Sequence, residues 1–176
     1  MKTKSTFWKN SLIFGIITGI VLILYSYLLT KLELDQNKAL LSAAYLIIIA
    51  SLVIGIKNYR DKHSYGTISY GGSLGFSMII ISISALFTSI YTYVFLNNNP
   101  EIIERSRITT ENEFIAKGMS DMQIEMATKF ISAEFSAGST LLSYLLMGFV
   151  IALIISAIMK KGGDPYQQAM QDINEE

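Results

Sequence analysis

The chain has 176 residues, of which 51% are hydrophobic and only 16% charged, with Lys+Arg 14 balanced by Asp+Glu 14. A soluble domain carries about a quarter charged residues, and a net charge of zero leaves no electrostatic footprint for nucleic acid. The absence of cysteine excludes disulfides, thiol catalysis and cysteine-ligated metals.

The apolar residues come in long blocks, which is the pattern of membrane-spanning helices. The first block covers residues 10–30 and includes Ile13, Ile16, Ile17, Ile20, Val21, Leu24 and Leu28. Lys2, Lys4 and Lys9 precede it, as in a signal peptide, but the block is too long and no small-x-small cleavage site follows. The second block, 39–56, is short and free of charge. The third spans 72–96 and the fourth 135–159. None contains Asp, Glu, Lys, Arg or His, and each is long enough, at about 1.5 Å per residue, to cross a hydrocarbon core of about 30 Å. Such segments must be helical, because lipid offers no partner for free backbone groups. The expected fold class is therefore all-α: one domain, an integral membrane bundle of four transmembrane helices.

Basic residues predict orientation. The amino terminus, the 57–71 loop and the tail after Met159 share one side, with Lys2, Lys4, Lys9, Lys57, Arg60, Lys62, Lys160 and Lys161. Lys31, Lys38, Arg105, Arg107, Lys117 and Lys129 lie on the other. The bias of eight to six places both termini in the cytoplasm. Trp8 marks the inner end of the first span, and Tyr25, Tyr27, Tyr91 and Tyr93 mark the outer ends of the first and third.

The 97–134 connection is long enough to have structure of its own, and it predicts a helical hairpin. Asn99 is placed to cap, Pro100 suits a first helical position, and Glu101 and Glu104 suit the positive end of a helix. Gly118 stops this helix. Ser120 and Gln123 form a capping box, with Met119 and Ile124 placed as a staple. Asp121, Glu125, Thr128, Lys129 and Ser132 share a polar face of the second helix, and Met122, Met126, Phe130 and Ala133 an apolar one, interrupted nearby by Gln123 and Glu134; the pattern predicts that this helix continues into the fourth span. In the 160–176 tail, Gly162 and Gly163 end that span, and Asp164 and Pro165 start a short polar helix.

Gly15 and Gly19 form a G-x-x-x-G in the first span, and Gly148, Ala152 and Ser156 repeat the small-residue spacing in the fourth; both predict close helix packing within the bundle. The third span is rich in hydroxyls: Ser77, Ser84 and Thr88 near one face, with Ser82, Ser89 and Thr92 around it. A polar pathway for a small solute is one reading. Hydrogen bonding between helices, or back onto the same helix, is the simpler one, because no charge accompanies the stripe. His63 and Asp61 alone are far short of a metal site, and no nucleophile or phosphate-loop motif is present.

The loop between the second and third spans is the most distinctive stretch. Lys57, Tyr59, Arg60 and Lys62 are expected at the lipid headgroups. Ile56, Tyr59, Arg60 and Asp61, followed by Gly66, Ile68, Ser69 and Tyr70, form an "I-x-x-Y-R-D" and then a "G-x-I-S-Y". This pair, together with the four-span layout, resembles the bacterial membrane-protein family of unknown function DUF4199, common in the Bacteroidota. The resemblance covers nearly the whole chain. It implies a multi-pass protein of a bacterial inner membrane and brings no catalytic residue.

The sequence thus predicts a protein that is not an enzyme, has no cofactor or metal, and contacts the lipid bilayer. Two function classes stand. One is a structural or interaction protein meeting a protein partner at the outer hairpin or inner loop. The other is a small carrier or lipid-binding protein using the third span. The residues leave homo-oligomerisation open.

Overall fold

A computed structural model describes residues 2–34 and 37–162. Within them lie six helices: α1 (Lys2–Lys31), α2 (Lys38–His63), α3 (Tyr70–Asn98), α4 (Pro100–Ala116), α5 (Asp121–Lys129) and α6 (Ala133–Met159). Four of these, α1, α2, α3 and α6, are long and apolar enough to cross a membrane, with mean hydropathy of 2.0–2.6 in their most apolar windows. Each outruns its apolar block. The second block ends at Ile56, yet α2 continues to His63 and places Arg60, Lys62 and His63 in its last turn. Cations there meet the negative end of the helix dipole, so the first charge does not mark the end of the helix.

The spans form a ring in the order α1, α3, α6, α2, with α1 and α6 diagonal to one another. α1 runs parallel to α3: Phe7 meets Phe76, Gly15 lies on Ile83 and Gly19 on Phe87. α6 runs antiparallel to α3, with Gly148 on Ile81 and Ser89 donating to the Ala137 carbonyl at 2.9 Å. We call the end holding the start of α1, the α2–α3 loop and the end of α6 basal, and the other end distal.

Only 22–28% of each apolar window is buried within the chain. Ile17, Leu24, Leu46, Ile54, Ile90, Leu146 and Ile158 point outward, while Ser11, Thr18, Ser73, Ser77, Ser84, Thr88 and Ser156 are buried beside Leu22, Ile48, Leu52, Phe76 and Ile80. Apolar side chains outside and hydroxyls inside suit a chain whose solvent is lipid.

The connections are closed by side-chain caps. Asn37 Oδ1 accepts from the amides of Ala39 and Leu40 at the start of α2, Ser69 Oγ from Gly72 at the start of α3, and Ser132 Oγ from Phe135 at the start of α6. Gly118 ends α4 at φ +70°, with its amide on the Ile115 carbonyl and that of Met119 on Phe114. This Schellman pattern favours glycine. Gln123 Oε1 accepts from the Ser120 amide at 3.0 Å, closing the predicted box.

Two expectations are corrected. Asn99 sits before α4, but its side chain donates backward to the Phe95 carbonyl at 2.6 Å and does not cap α4. α5 does not continue into α6. The chain breaks over Phe130–Ser132, because Ser132 caps α6 and Arg107 takes the Ile131 carbonyl at 3.0 and 3.2 Å. The predicted tail helix at Asp164 and Pro165 lies outside the described residues.

Candidate functional site

The basal loop brings the distinctive residues together, and nearly every one has a packing task. Ile56 is fully buried. Tyr59 is 6% exposed, with its ring 5.3 Å from Phe7 and 5.2 Å from Phe76. Tyr59 is thus a core residue and not the headgroup contact expected of it: a tyrosine on the inward face of α2 gains more from two phenylalanine neighbours than from the interface. Arg60 also turns inward. Its Nε donates to Asp61 Oδ1 at 2.8 Å and its Nη1 to the Met159 carbonyl at 3.4 Å, at the end of α6. Lys57 and Lys62 are exposed at this end.

Beyond α2 the chain turns through Tyr65 and Gly66, both with positive φ, and the Gly66 amide returns to the Arg60 carbonyl at 2.9 Å. Ile68 is buried and exchanges both backbone hydrogen bonds with Lys161, at 2.9 and 3.0 Å. Ser69 caps α3. The α2–α3 loop is therefore stapled to the end of α6 by one side chain and one backbone bridge. Asp61 is occupied by Arg60, and His63 is exposed with its ring 6.2 Å from that of Tyr59. Among the described residues no three His, Cys, Asp or Glu side chains converge on a metal position.

The hydroxyls of α3 form the second candidate. Ser73, Ser77, Ser84 and Thr88 are at most 2% exposed, so packing closes this face. Ser84 donates to the Ile81 carbonyl, Thr88 to that of Ser84 and Thr92 to that of Thr88, the usual back-bonding of helical hydroxyls. Other hydroxyls join helices: Thr18 bonds Ser51 across α1 and α2, and the Tyr25 hydroxyl donates to the Leu40 carbonyl at 2.7 Å. Tyr25 is thus a clip between spans. The Oγ atoms of Ser73, Ser77 and Ser156 are buried without a protein partner. The offset that pairs Ile81 with Gly148 and Ile68 with Lys161 sets Ser73 opposite Ser156.

The small residues sit where the helices approach most closely. A Cβ added to Gly15 would lie 2.8 Å from Ile83 Cβ, one on Gly19 2.9 Å from Phe87 Cβ, and one on Gly148 2.6 Å from Ile81 Cγ2. Ala152 and Ser156 are fully buried on the same helix as Gly148.

At the distal end a cleft of about 430 Å³ opens between all four spans and α4, lined by Ser26, Thr30, Tyr91, Thr92, Phe95 and Ser136 among others. The Tyr91 hydroxyl is buried there without a protein partner, and its ring stacks on Phe95. Sequence reasoning missed this cleft, since its hydroxyls come from three helices and share no spacing. It also missed the inward turn of Arg60, whose partner is a carbonyl 99 positions away.

Four apolar spans in an all-helical ring define a multi-pass helical membrane protein. The chain belongs to the family described as protein of unknown function DUF4199, whose model matches residues 13–161. No curated protein and no solved structure matches the chain.

Proposed function

We propose that this is a non-enzymatic structural or interaction protein of a bacterial inner membrane, with both termini cytoplasmic and the α4–α5 hairpin displayed to a protein partner outside. One observation carries this reading: the 17-residue α4 has no buried residue. Its residues are exposed or at most half-buried, so the chain displays most of this helix's surface. Its four glutamates outnumber its two arginines, so the complementary surface is basic.

A photo-crosslinking residue at Glu111 should give a discrete protein adduct in living cells, and one at the lipid-facing Leu146 should not. Absence of an adduct at Glu111 overturns the interaction reading. For orientation, a cysteine at Asn112 should react with an impermeant thiol reagent in intact cells and one at Lys62 should not; the reverse pattern inverts the topology. The non-enzymatic reading fails if purified protein turns over native lipid or metabolite extracts and Asp61→Asn abolishes the reaction.

A second reading, a carrier or lipid-binding protein, is favoured by the distal cleft and its unpartnered Tyr91 hydroxyl. A solute that raises the thermal stability of the protein but not of Tyr91→Phe would support it.

A further inference from the structure

The α4–α5 hairpin leaves one face of α5 uncovered. Met122, Met126 and Phe130 follow one another at four-residue spacing and are 71%, 55% and 59% exposed. This spacing puts them on one side of the helix. The opposite side carries Ile124, which is buried in the hairpin. The roll of α5 is fixed, because Arg107 holds the Ile131 carbonyl just after it. Three large apolar side chains, two on a helix of nine residues and the third on its C-cap, form a patch that water does not cover cheaply.

We infer that α5 is an interfacial helix, with Met122, Met126 and Phe130 set into the acyl boundary of the distal leaflet. The patch is continuous with the lipid-facing surface of the bundle. The Phe130 ring lies 5.5 Å from that of Phe135 in the first turn of α6, and Phe135, Leu142 and Leu146 carry the apolar surface down that span. Beside Phe135, Gly138 and Leu142 lies an open hollow of about 570 Å³, and no atom stands within 4 Å of where a side chain on Gly138 would begin. Ser132, Glu134 and Ser139 complete the lining of this hollow, whose exposed surface is mostly apolar and open for an acyl chain to lie against. The charges agree: Asp121 and Glu125 lie away from the patch, while Lys129 borders it, where an ammonium reaches lipid phosphates. The inference is independent of which partner α4 takes.

The chain is free of cysteine, so single labels are clean. Met126→Cys and, as the control one position away, Glu125→Cys would each carry an environment-sensitive fluorophore in protein reconstituted into phosphatidylglycerol-containing vesicles. Met122→Cys is a second probe of the same face, and both methionines are exposed, so neither substitution disturbs the fold. Labels at 126 and 122 should lose emission to lipids brominated on their acyl chains and be shielded from aqueous iodide. The label at 125 should show the converse. Iodide quenching at 126 and 122 equal to that at 125 would place α5 in water and overturn the inference. Shielding from iodide without quenching by brominated lipid would show a protein cover, such as a second copy, and would overturn it as well.

Discussion

Glycine replacement on α1 and α6 tests the packing quantitatively. Unstrained carbon atoms approach to about 3.5–4.0 Å. A Cβ on Gly15 would stand 2.8 Å from Ile83 Cβ and 3.3 Å from the Ile80 carbonyl oxygen, and one on Gly19 2.9 Å from Phe87 Cβ and 3.4 Å from Ser84 Cα. These neighbours are backbone atoms or atoms fixed to it, so no rotamer change relieves the overlap, and α1 must move off α3 by about 0.6 Å or more. Overpacking of this kind costs about 1–3 kcal/mol, against which alanine regains up to about 1 kcal/mol of helix propensity. Gly15→Ala and Gly19→Ala should each therefore destabilise by about 0–2 kcal/mol, and Gly19→Ile by clearly more. On Gly148 the clash is with Ile81 Cγ2. That side chain is stiff at χ1 but not immovable, so Gly148→Ala should fall at or below the same range. Gly138 has open space beside it, and Gly138→Ala should be neutral or gain up to about 1 kcal/mol. Unfolding in a fixed detergent, followed by helicity, ranks the four alanine variants, and size-exclusion with light scattering reports the oligomeric state. Gly15→Ala and Gly19→Ala as stable as Gly138→Ala, or a change of oligomeric state without loss of stability, would refute the intrachain packing argument.

Three further outcomes follow from the hydrogen bonds. Arg60→Ala frees the Met159 carbonyl and should cost about 1–2 kcal/mol, whereas Asp61→Asn, which breaks a pair open to solvent on one side, should cost less; unfolding midpoints in the reverse order would contradict the staple. Ser77→Ala removes a buried hydroxyl that has no protein partner and should be neutral or stabilising by up to about 1 kcal/mol, while Ser89→Ala loses the bond to Ala137 and should cost about 0.5–1.5 kcal/mol. Ser120→Ala should weaken the start of α5 by about 0.5–2 kcal/mol, read as faster amide exchange over Asp121–Lys129 with the spans unchanged; uniform exchange in both proteins would show that the box contributes nothing.

The spans were legible because hydrocarbon admits so few residue types: a run without charge from Leu12 to Thr30 has little choice but a helix in lipid. The hairpin was legible through its stops, since Gly118 and Ser120 act on their immediate neighbours. Long-range contacts were not. Tyr59 beside Arg60 on a loop among lysines has the composition of an interface, and only the rotation of α2, set by Ile48, Leu52 and Ile56, shows that Tyr59 faces the core. The continuation of α5 into α6 failed for a related reason. The apolar spacing from Met122 to Ala133 is helical throughout, but Ser132 competes for the Phe135 amide and Arg107, 24 positions back from Ile131, stabilises the break. A local pattern contains neither interaction.

The basal staple explains what the distinctive loop does for the fold. α3 and α6 are joined at the distal end through the hairpin, so the basal end of α6 lies far along the chain from the start of α3. In lipid, two smooth apolar helices gain little from one register over another, because tails solvate their side chains as well as each other's. Polar contacts at a helix end discriminate, since a slip by one residue breaks every one of them at once. Ile68 bonds Lys161 through both backbone groups, and Arg60 bonds the carbonyl two residues earlier, at Met159. Together they admit one register, the register that sets Gly148 on Ile81 and Ser73 opposite Ser156. The turn at Gly66 delivers Ile68 to Lys161, Tyr59 and Ile56 fix the roll of α2 that aims Arg60, and Asp61 holds the guanidinium in place. Most of the residues that mark this loop are thus accounted for by one mechanical task, the locking of α6 against α3. Lys57 and Lys62 near the end of α2 and Tyr70 at the start of α3 remain on the surface, free to meet headgroups.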